Sequence, residues 1–228
     1  MINHKHKFIF IHIPKCAGSS IEMFFNVKPF DWKVPNYEHL VGRDPETGIH
    51  LQHATVSELK EHNYIPQKLW NEYYSFALVR NPWSRAVSDY FWIMKDLKIK
   101  GTFEEYLQKE GKFKEFFTNK KNPLYRGDHI IPQKDFIYND RKLMVNFVGR
   151  MEHINEDFKI ICKKINIPFT ALPHEKKGKK KYKHYSHFYN DSQIKMVEDL
   201  YGDDINLFNY SFDDQRHTIK KGLFGLKY

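Results

Sequence analysis

Phe8-Ile-Phe-Ile-His-Ile13 is a nearly continuous apolar run closed by Pro14. A run of that length suits a strand buried on both faces, as in a parallel sheet. Beyond a short loop, Ile21, Phe24 and Phe25 recur at i, i+3 and i+4, the spacing of a helix that buries one face. The chain therefore opens on strand, loop and helix. Tyr73-Tyr-Ser-Phe-Ala-Leu-Val79 predicts a second strand. Asn81 and Pro82 follow as N-cap and first helical residue, and Ala86, Val87, Tyr90, Phe91 and Met94 keep helical spacing beyond them. Thr55-Val-Ser-Glu58 reads as a capping box that starts a helix near Thr55. Residues 103–117 pattern as a helix and residues 119–128 as a loop. Leu143-Met-Val-Asn-Phe-Val148 predicts a third strand, and Glu156 to Ile165 a helix. Asn190-Asp191 caps a last helix through about Tyr201. Strands alternating with helices predict an α/β fold with a central, mostly parallel sheet flanked by helices. No repeat or linker divides the chain, and 228 residues suit a single domain.

The loop after the first strand is Pro14-Lys15-Cys16-Ala17-Gly18-Ser19-Ser20. Small residues let the backbone approach a ligand, and amides at a helix start cradle an anion with help from the helix dipole. Lys15 adds a mobile positive charge, and Ser19 and Ser20 add hydroxyl donors. The pattern implies binding of a phosphate or a group shaped like one. It is not a Walker A loop, because Lys15 precedes Gly18 and the first glycine of that pattern is missing. The second strand is followed by Arg80-Asn81-Pro82, not by the Asp that would hold Mg²⁺. In Arg80-Asn-Pro-Trp-Ser-Arg-Ala-Val-Ser88, Arg80 stands at the carboxyl end of a strand, where open α/β sheets bind ligands. A guanidinium there and the hydroxyl of Ser88 on the next helix can clamp a second phosphate.

Lys and Arg exceed Asp and Glu by 37 to 28, a formal charge of +9. That balance favours anionic partners without choosing among them, and part of it serves solubility alone. Two cysteines do not make a secreted disulfide scaffold, and Cys162 sits at core spacing. No run of about 18 apolar residues predicts a membrane span, and no apolar signal region precedes the first strand, so cytoplasmic residence is expected. No metal-ligand spacing is visible along the chain.

At the loop and at Arg80 to Ser88 the sequence resembles the nucleotide-dependent sulfotransferases. The likeness is to the branch containing heparan sulfate 2-O-sulfotransferase and related bacterial carbohydrate sulfotransferases. Asn146-Phe-Val-Gly-Arg-Met-Glu-His153 is similar to a structural stretch of that family. Pro173-His174, the lysine run and Tyr185-x-x-x-Tyr189 are similar to its cofactor-covering region, so the likeness spans roughly Phe8 to Tyr210. The resemblance implies a P-loop-NTPase-like three-layer fold and 3′-phosphoadenosine 5′-phosphosulfate as sulfuryl donor, with the 3′,5′-bisphosphate as product and no metal. It implies that Lys15, Cys16, Ala17, Gly18, Ser19 and Ser20 hold the 5′-phosphosulfate end. Arg80 and Ser88 would hold the 3′-phosphate. Cys16 departs from the family's usual Thr or Ser, losing a hydroxyl donor but keeping the amide. The acceptor implied is a hydroxyl of an oligo- or polysaccharide, with a lipid headgroup, a small metabolite or a peptide tyrosine as alternatives. Residues 26–50 and 95–130 carry no family detail and are where acceptor binding is expected, and no nucleic acid is expected.

Sulfuryl transfer needs a base near neutrality. His53, in Gln52-His53-Ala-Thr55, lies just before a predicted helix start that disfavours imidazolium, and His50 is its rival three residues away. His12, flanked by apolar residues, reads as a hydrogen-bonded core histidine beneath the loop. Lys15 and the loop amides stand where the leaving phosphate develops charge. The run Lys176-Lys-Gly-Lys-Lys-Lys181 is a solvated loop or a lid, in which Lys179 and Lys180 would meet the 3′-phosphate or an acidic glycan. Two other readings compete. A P-loop-like small-molecule kinase requires Mg²⁺ and ATP, and a non-enzymatic glycan- or nucleic-acid-binding protein accounts for the charge but not for paired anion sites.

Overall fold

The structure is a computed structural model that describes residues 1–173 and 184–216. The chain begins with β1 (Ile2–Asn3), β2 (Phe8–Ile11) and α1 (Gly18–Phe24). After an irregular stretch come α2 (Val56–Glu61), α3 (Gln67–Glu72), β3 (Tyr74–Val79) and α4 (Pro82–Asp96). Next are α5 (Phe103–Gln108), α6 (Lys114–Thr118) and α7 (Gln133–Ile137). A small hairpin of β4 (Tyr138–Asn139) and β5 (Lys142–Leu143) leads into β6 (Phe147–Arg150). Helices α8 (Ile154–Lys164) and α9 (Asp191–Leu207) complete the described residues.

The main sheet runs β1-β2-β3-β6. β1 is antiparallel to β2, whereas β2, β3 and β6 are mutually parallel, in register through Ile11↔Ala77 and Val79↔Arg150. The expected α/β architecture with a mostly parallel sheet flanked by helices is therefore present. Every residue of β2 is buried, as its unbroken apolar run requires of an inner parallel strand. The strands and residues of α1, α2, α7 and α8 share one apolar core. A second, aromatic-rich cluster joins α4, α5, α6 and α9, with Trp83, Tyr90, Phe103, Tyr106, Phe113 and Tyr201 among its members. Because β2 and β3 are parallel neighbours, the loop after β2 and Arg80 after β3 emerge at the same sheet edge. That edge carries the candidate site.

Local chemistry explains where the elements begin. Thr55 makes the expected capping box with Glu58, and Asn190 makes one with Gln193. Asn81 Oδ1 accepts from Ser84 N at 3.1 Å with Pro82 as first helical residue.

Two expectations need correction. The third strand is Phe147–Arg150, displaced from Leu143–Val148. Lys142–Leu143 pairs instead with Tyr138–Asn139, and Asn146 turns its side chain onto Ser75 N (2.8 Å) before the ladder begins. The predicted helix over 103–117 is broken, because Lys109 (φ 59°) and Gly111 (φ 53°) adopt left-handed backbone and end α5. The last helix meets its predicted limit at Tyr201, where φ is −126°, and then resumes to Leu207.

Candidate active site

The loop expected to hold an anion is shaped by backbone conformation. Lys15 (φ 68°) and Ala17 (φ 65°) both lie in the left-handed region, which turns successive amides toward one concavity. Ala17 is the N-cap of α1 and supplies no side-chain cap. The first amides of that helix are therefore left to a ligand or solvent. Gly18 is required by packing: a Cβ there would lie 1.9 Å from Cδ2 and 2.0 Å from Nε2 of His12. His12 is the expected core histidine beneath the loop, its Nδ1 2.7 Å from Oε1 of the fully buried Glu22. The partner holds the Glu22 carboxyl down at about 2, although burial pushes the other way. Lys28 Nζ reaches back to donate to Ser19 Oγ at 2.6 Å.

Cys16 turns inward. Its amide donates to Ile13 O (3.2 Å) and its thiol to Gln133 Oε1 (3.3 Å). Burial pushes that thiol up to about 12, so the residue shapes the loop as a small buried side chain.

Arg80 lies beside this loop. Its guanidinium donates to Ser84 Oγ from Nε (3.0 Å) and Nη2 (2.8 Å), and to Lys15 O from Nη1 (3.2 Å). Its backbone is clamped by Gln133, which accepts from Arg80 N (2.8 Å) and donates to Arg80 O (2.9 Å). Ser88, half-buried, follows Ser84 by one turn on the same face of α4. Arg80, Ser84 and Ser88 thus form a row leading away from the loop, and Ser84 is its unforeseen member. Ser19 and Ser20 lie half-buried in the first turn of α1.

The irregular stretch before α2 delivers His50 and His53 to the same edge. Both direct Nδ1 at Asp128 Oδ2, His53 at 2.6 Å and His50 at 3.2 Å. The two Nε2 atoms differ. That of His50 is buried without a partner, as is Asp128 Oδ1, whereas that of His53 is not sealed in this way. Burial pushes the His53 ring down to about 3, outweighing the pull of Asp128, and His12 and His129 push in the same direction. Asp128 is held well below the usual carboxylate range by its histidine partners. The pair is therefore an ionised carboxylate beneath a neutral imidazole, which is the tautomer that leaves Nε2 free to accept a proton. Burial, and not the following helix, is the leading cause. Among the described residues, His50, His53 and Asp128 could also hold a metal ion. As they stand they form a hydrogen-bonded set.

The rings of His12 and His53 meet edge to face at 4.7 Å, and those of His53 and His129 at 5.1 Å. The Lys15 ammonium sits 5.1 Å from the Trp92 ring centre, over the same indole that stacks on His129. The loop after β2, the His53 dyad and α4 therefore converge on one place.

Asp128, His129, Asp89, Arg85 and Trp92 join these residues without a motif in the sequence to mark them. One signal was there: Arg85 and Asp89 stand four apart on the same stripe of α4 as buried Ala86 and Ile93. Charged groups on an apolar stripe must have buried partners. Glu152, in the stretch Asn146 to His153, accepts from Asn81 N (2.7 Å) and Tyr210 OH (3.0 Å) and so fixes the start of α4. Tyr189 OH donates to Trp83 O (2.8 Å), packing on α4. Lys179 and Lys180 lie outside the described residues, as does His174. No helix among the described residues is long and apolar enough to cross a membrane.

Comparison with known proteins bears on the family. A 107-residue stretch is 29% identical to a protein of Archaeoglobus fulgidus named only as an uncharacterized protein, covering 46% of this chain and 78% of that one. A crystal structure of a sulfotransferase from Alicyclobacillus acidocaldarius aligns over 90% of this chain and 98% of its own, with 15% identity and a TM-score of 0.43. The model of the sulfotransferase family matches residues 1–211, and the chain belongs to that family.

Proposed function

We propose that this sulfotransferase uses 3′-phosphoadenosine 5′-phosphosulfate as donor and a carbohydrate hydroxyl as acceptor, with His53 as base. The observation that carries the reading is the His53–Asp128 dyad: a neutral imidazole, fixed through Nδ1 at 2.6 Å, beside a left-handed loop built to hold an anion. The donor fits this chain at both ends. Ala17, Gly18, Ser19 and Ser20 surround an uncapped helix start with Lys15 beside it, which suits a 5′-phosphosulfate. Arg80 with the serine row of Ser84 and Ser88 suits a 3′-phosphate.

In the transfer, His53 Nε2 takes the proton of the acceptor hydroxyl. An oxygen–sulfur bond to the acceptor forms as the bond from sulfur to the 5′-phosphate oxygen breaks, and the 3′,5′-bisphosphate leaves. Asp128 keeps the ring oriented and stabilises the imidazolium once formed. Lys15 and the loop amides offset the negative charge growing on the leaving phosphate. Lys15 rests over Trp92, its ammonium 5.1 Å from the ring centre and beside the loop. The proposed acceptor regions, residues 26–50 and 95–130, supply Trp32, His50, Arg126 and Asp128 around the dyad, with Arg126 5.6 Å from the Trp32 ring centre.

The test is transfer of ³⁵S from labelled donor to a panel of oligo- and polysaccharides. Label should pass to at least one member with wild type and not with His53→Ala. Equal transfer by the variant overturns the role of His53, and transfer to no member overturns the carbohydrate acceptor.

A further inference from the structure

Arg80 is the first residue beyond β3, and the ladder between β2 and β3 ends earlier, at Ile11↔Ala77. One buried side chain takes over where that ladder stops. Gln133 Oε1 accepts from Arg80 N at 2.8 Å, and Gln133 Nε2 donates to Arg80 O at 2.9 Å. A primary amide that pairs with both main-chain groups of one residue does what a neighbouring strand would do. The same Oε1 accepts from the Cys16 thiol at 3.3 Å. Gln133 therefore joins the end of β3 to the loop after β2, beside the direct bond from Arg80 Nη1 to Lys15 O at 3.2 Å.

Gln133 is itself held from a distance. It is the first residue of α7, and its N-cap Pro132 makes no side-chain cap. The amides of Gln133 and Lys134 donate instead to the two carboxylate oxygens of Asp204, at 2.7 Å and 2.8 Å. Asp204 stands on α9 beyond the break at Tyr201. Gln133 and Asp204 are both fully buried. Burying an amide and a carboxylate is costly unless each is hydrogen-bonded, and apolar side chains of the same shape would avoid that cost. Here the polar atoms orient the start of α7 and, through it, the main chain of one arginine.

We propose that Gln133, held by Asp204, is a positioning residue that gives the site its selectivity for a 3′-phosphate. It acts through Arg80 and not by contact with the nucleotide. By fixing the main chain of Arg80 against the loop after β2, it sets the spacing between the two ends of the donor. With that main chain held, the guanidinium keeps its bonds to Ser84 Oγ at 3.0 Å and 2.8 Å. A fork already fixed in place loses less freedom when the phosphate binds. This inference rests on the donor reading above.

The test uses two nucleotides that differ by the 3′-phosphate. Wild type, Gln133→Met, Arg80→Ala and the double variant are titrated calorimetrically with 3′,5′-adenosine bisphosphate and, separately, with adenosine 5′-monophosphate. Wild type should prefer the bisphosphate by more than about tenfold, and Gln133→Met should lower that preference about fivefold. In the Arg80→Ala background the same change should leave the preference within about twofold, because the side chain it positions is gone. A glutamine with a purely structural role would weaken both nucleotides together or neither. An unchanged preference in Gln133→Met therefore overturns the proposal, and so does a further loss of about fivefold in the double variant. Should Gln133→Met fail to fold, Asp204→Asn keeps the volume and sets an NH₂ group against one amide of α7. It should lower the preference about threefold, and no change overturns the proposal equally. If wild type binds neither nucleotide, or binds both alike, the donor reading falls and Gln133 with it. If wild type prefers the bisphosphate and the preference survives the change, the role of Gln133 alone falls.

Discussion

Gly18→Ala adds one methyl group at the tightest point of the site. The new Cβ would meet His12 Cδ2 at 1.9 Å, Nε2 at 2.0 Å and Cγ at 2.4 Å. These are ring atoms, and the ring cannot step aside. Its Nδ1 is held at 2.7 Å by Glu22, its face stacks on Phe10 at 5.7 Å, and His53 meets it at 4.7 Å. Either α1 moves off β2 or the buried His12–Glu22 pair breaks. Overpacking costs about 1–3 kcal/mol and breaking a buried pair about 3–5 kcal/mol. Replacing glycine in a helix returns about 0.5–1 kcal/mol. A net loss of about 3 kcal/mol is expected, which for a chain of this size lowers Tm by roughly 6–12 °C. Urea unfolding of wild type, Gly18→Ala, His12→Ala and the double variant measures it. Once the ring is gone the methyl has room, so the double variant should be at least about 1 kcal/mol more stable than additivity predicts. Wild-type stability in Gly18→Ala, or strict additivity in the double variant, refutes this packing account.

His53→Ala should lower kcat by about 10²–10⁴ while bisphosphate affinity is kept, whereas His50→Ala, whose Nε2 is sealed, should cost less than about tenfold; steady-state kinetics on the ³⁵S assay distinguishes them. Stability should fall with acidification through His53. Its ring is pushed down to about 3 from an ordinary 6.5, so the unfolded chain binds a proton in that window that the fold excludes. The contribution is full above pH 6.5 and is lost as pH falls. Between pH 6.5 and 5 wild type should lose about 2 kcal/mol more than His53→Asn in urea unfolding, and equal losses contradict the shift. Gln133→Leu leaves the Arg80 amide and carbonyl without their partner and should cost about 1–3 kcal/mol, seen as a lower urea midpoint at unchanged slope.

What could be read in advance was local. The apolar run of β2, the Asn81–Pro82 start of α4 and the capping boxes at Thr55 and Asn190 are decided by residues within a few positions of one another. So is the small-residue loop with Lys15. The partners that give the site its chemistry are not local. Asp128 lies 75 residues from His53, and Asp89 lies 40 from His129. No periodicity encodes such a pairing. The third strand begins later than its apolar pattern for a related reason. Val145 and the residues around it are apolar enough for a strand, but where pairing starts is set by Asn146 turning onto Ser75, a contact across 71 residues. The broken helix after Phe103 was within reach. Gly111 stood in the sequence, but Lys109 in left-handed backbone carries no compositional mark. The same holds for Lys15 and Ala17, where the fold places left-handed backbone at residues other than glycine.

The central claim is that one nucleotide with phosphate at both ends bridges the Lys15–Ser20 loop and the Arg80 row without help from a metal. Calorimetric titration of 3′,5′-adenosine bisphosphate in EDTA tests it most directly. The account predicts tight binding to wild type, weakened at least about tenfold in Arg80→Ala. Binding of ATP in preference to the bisphosphate, with a requirement for Mg²⁺, would contradict it.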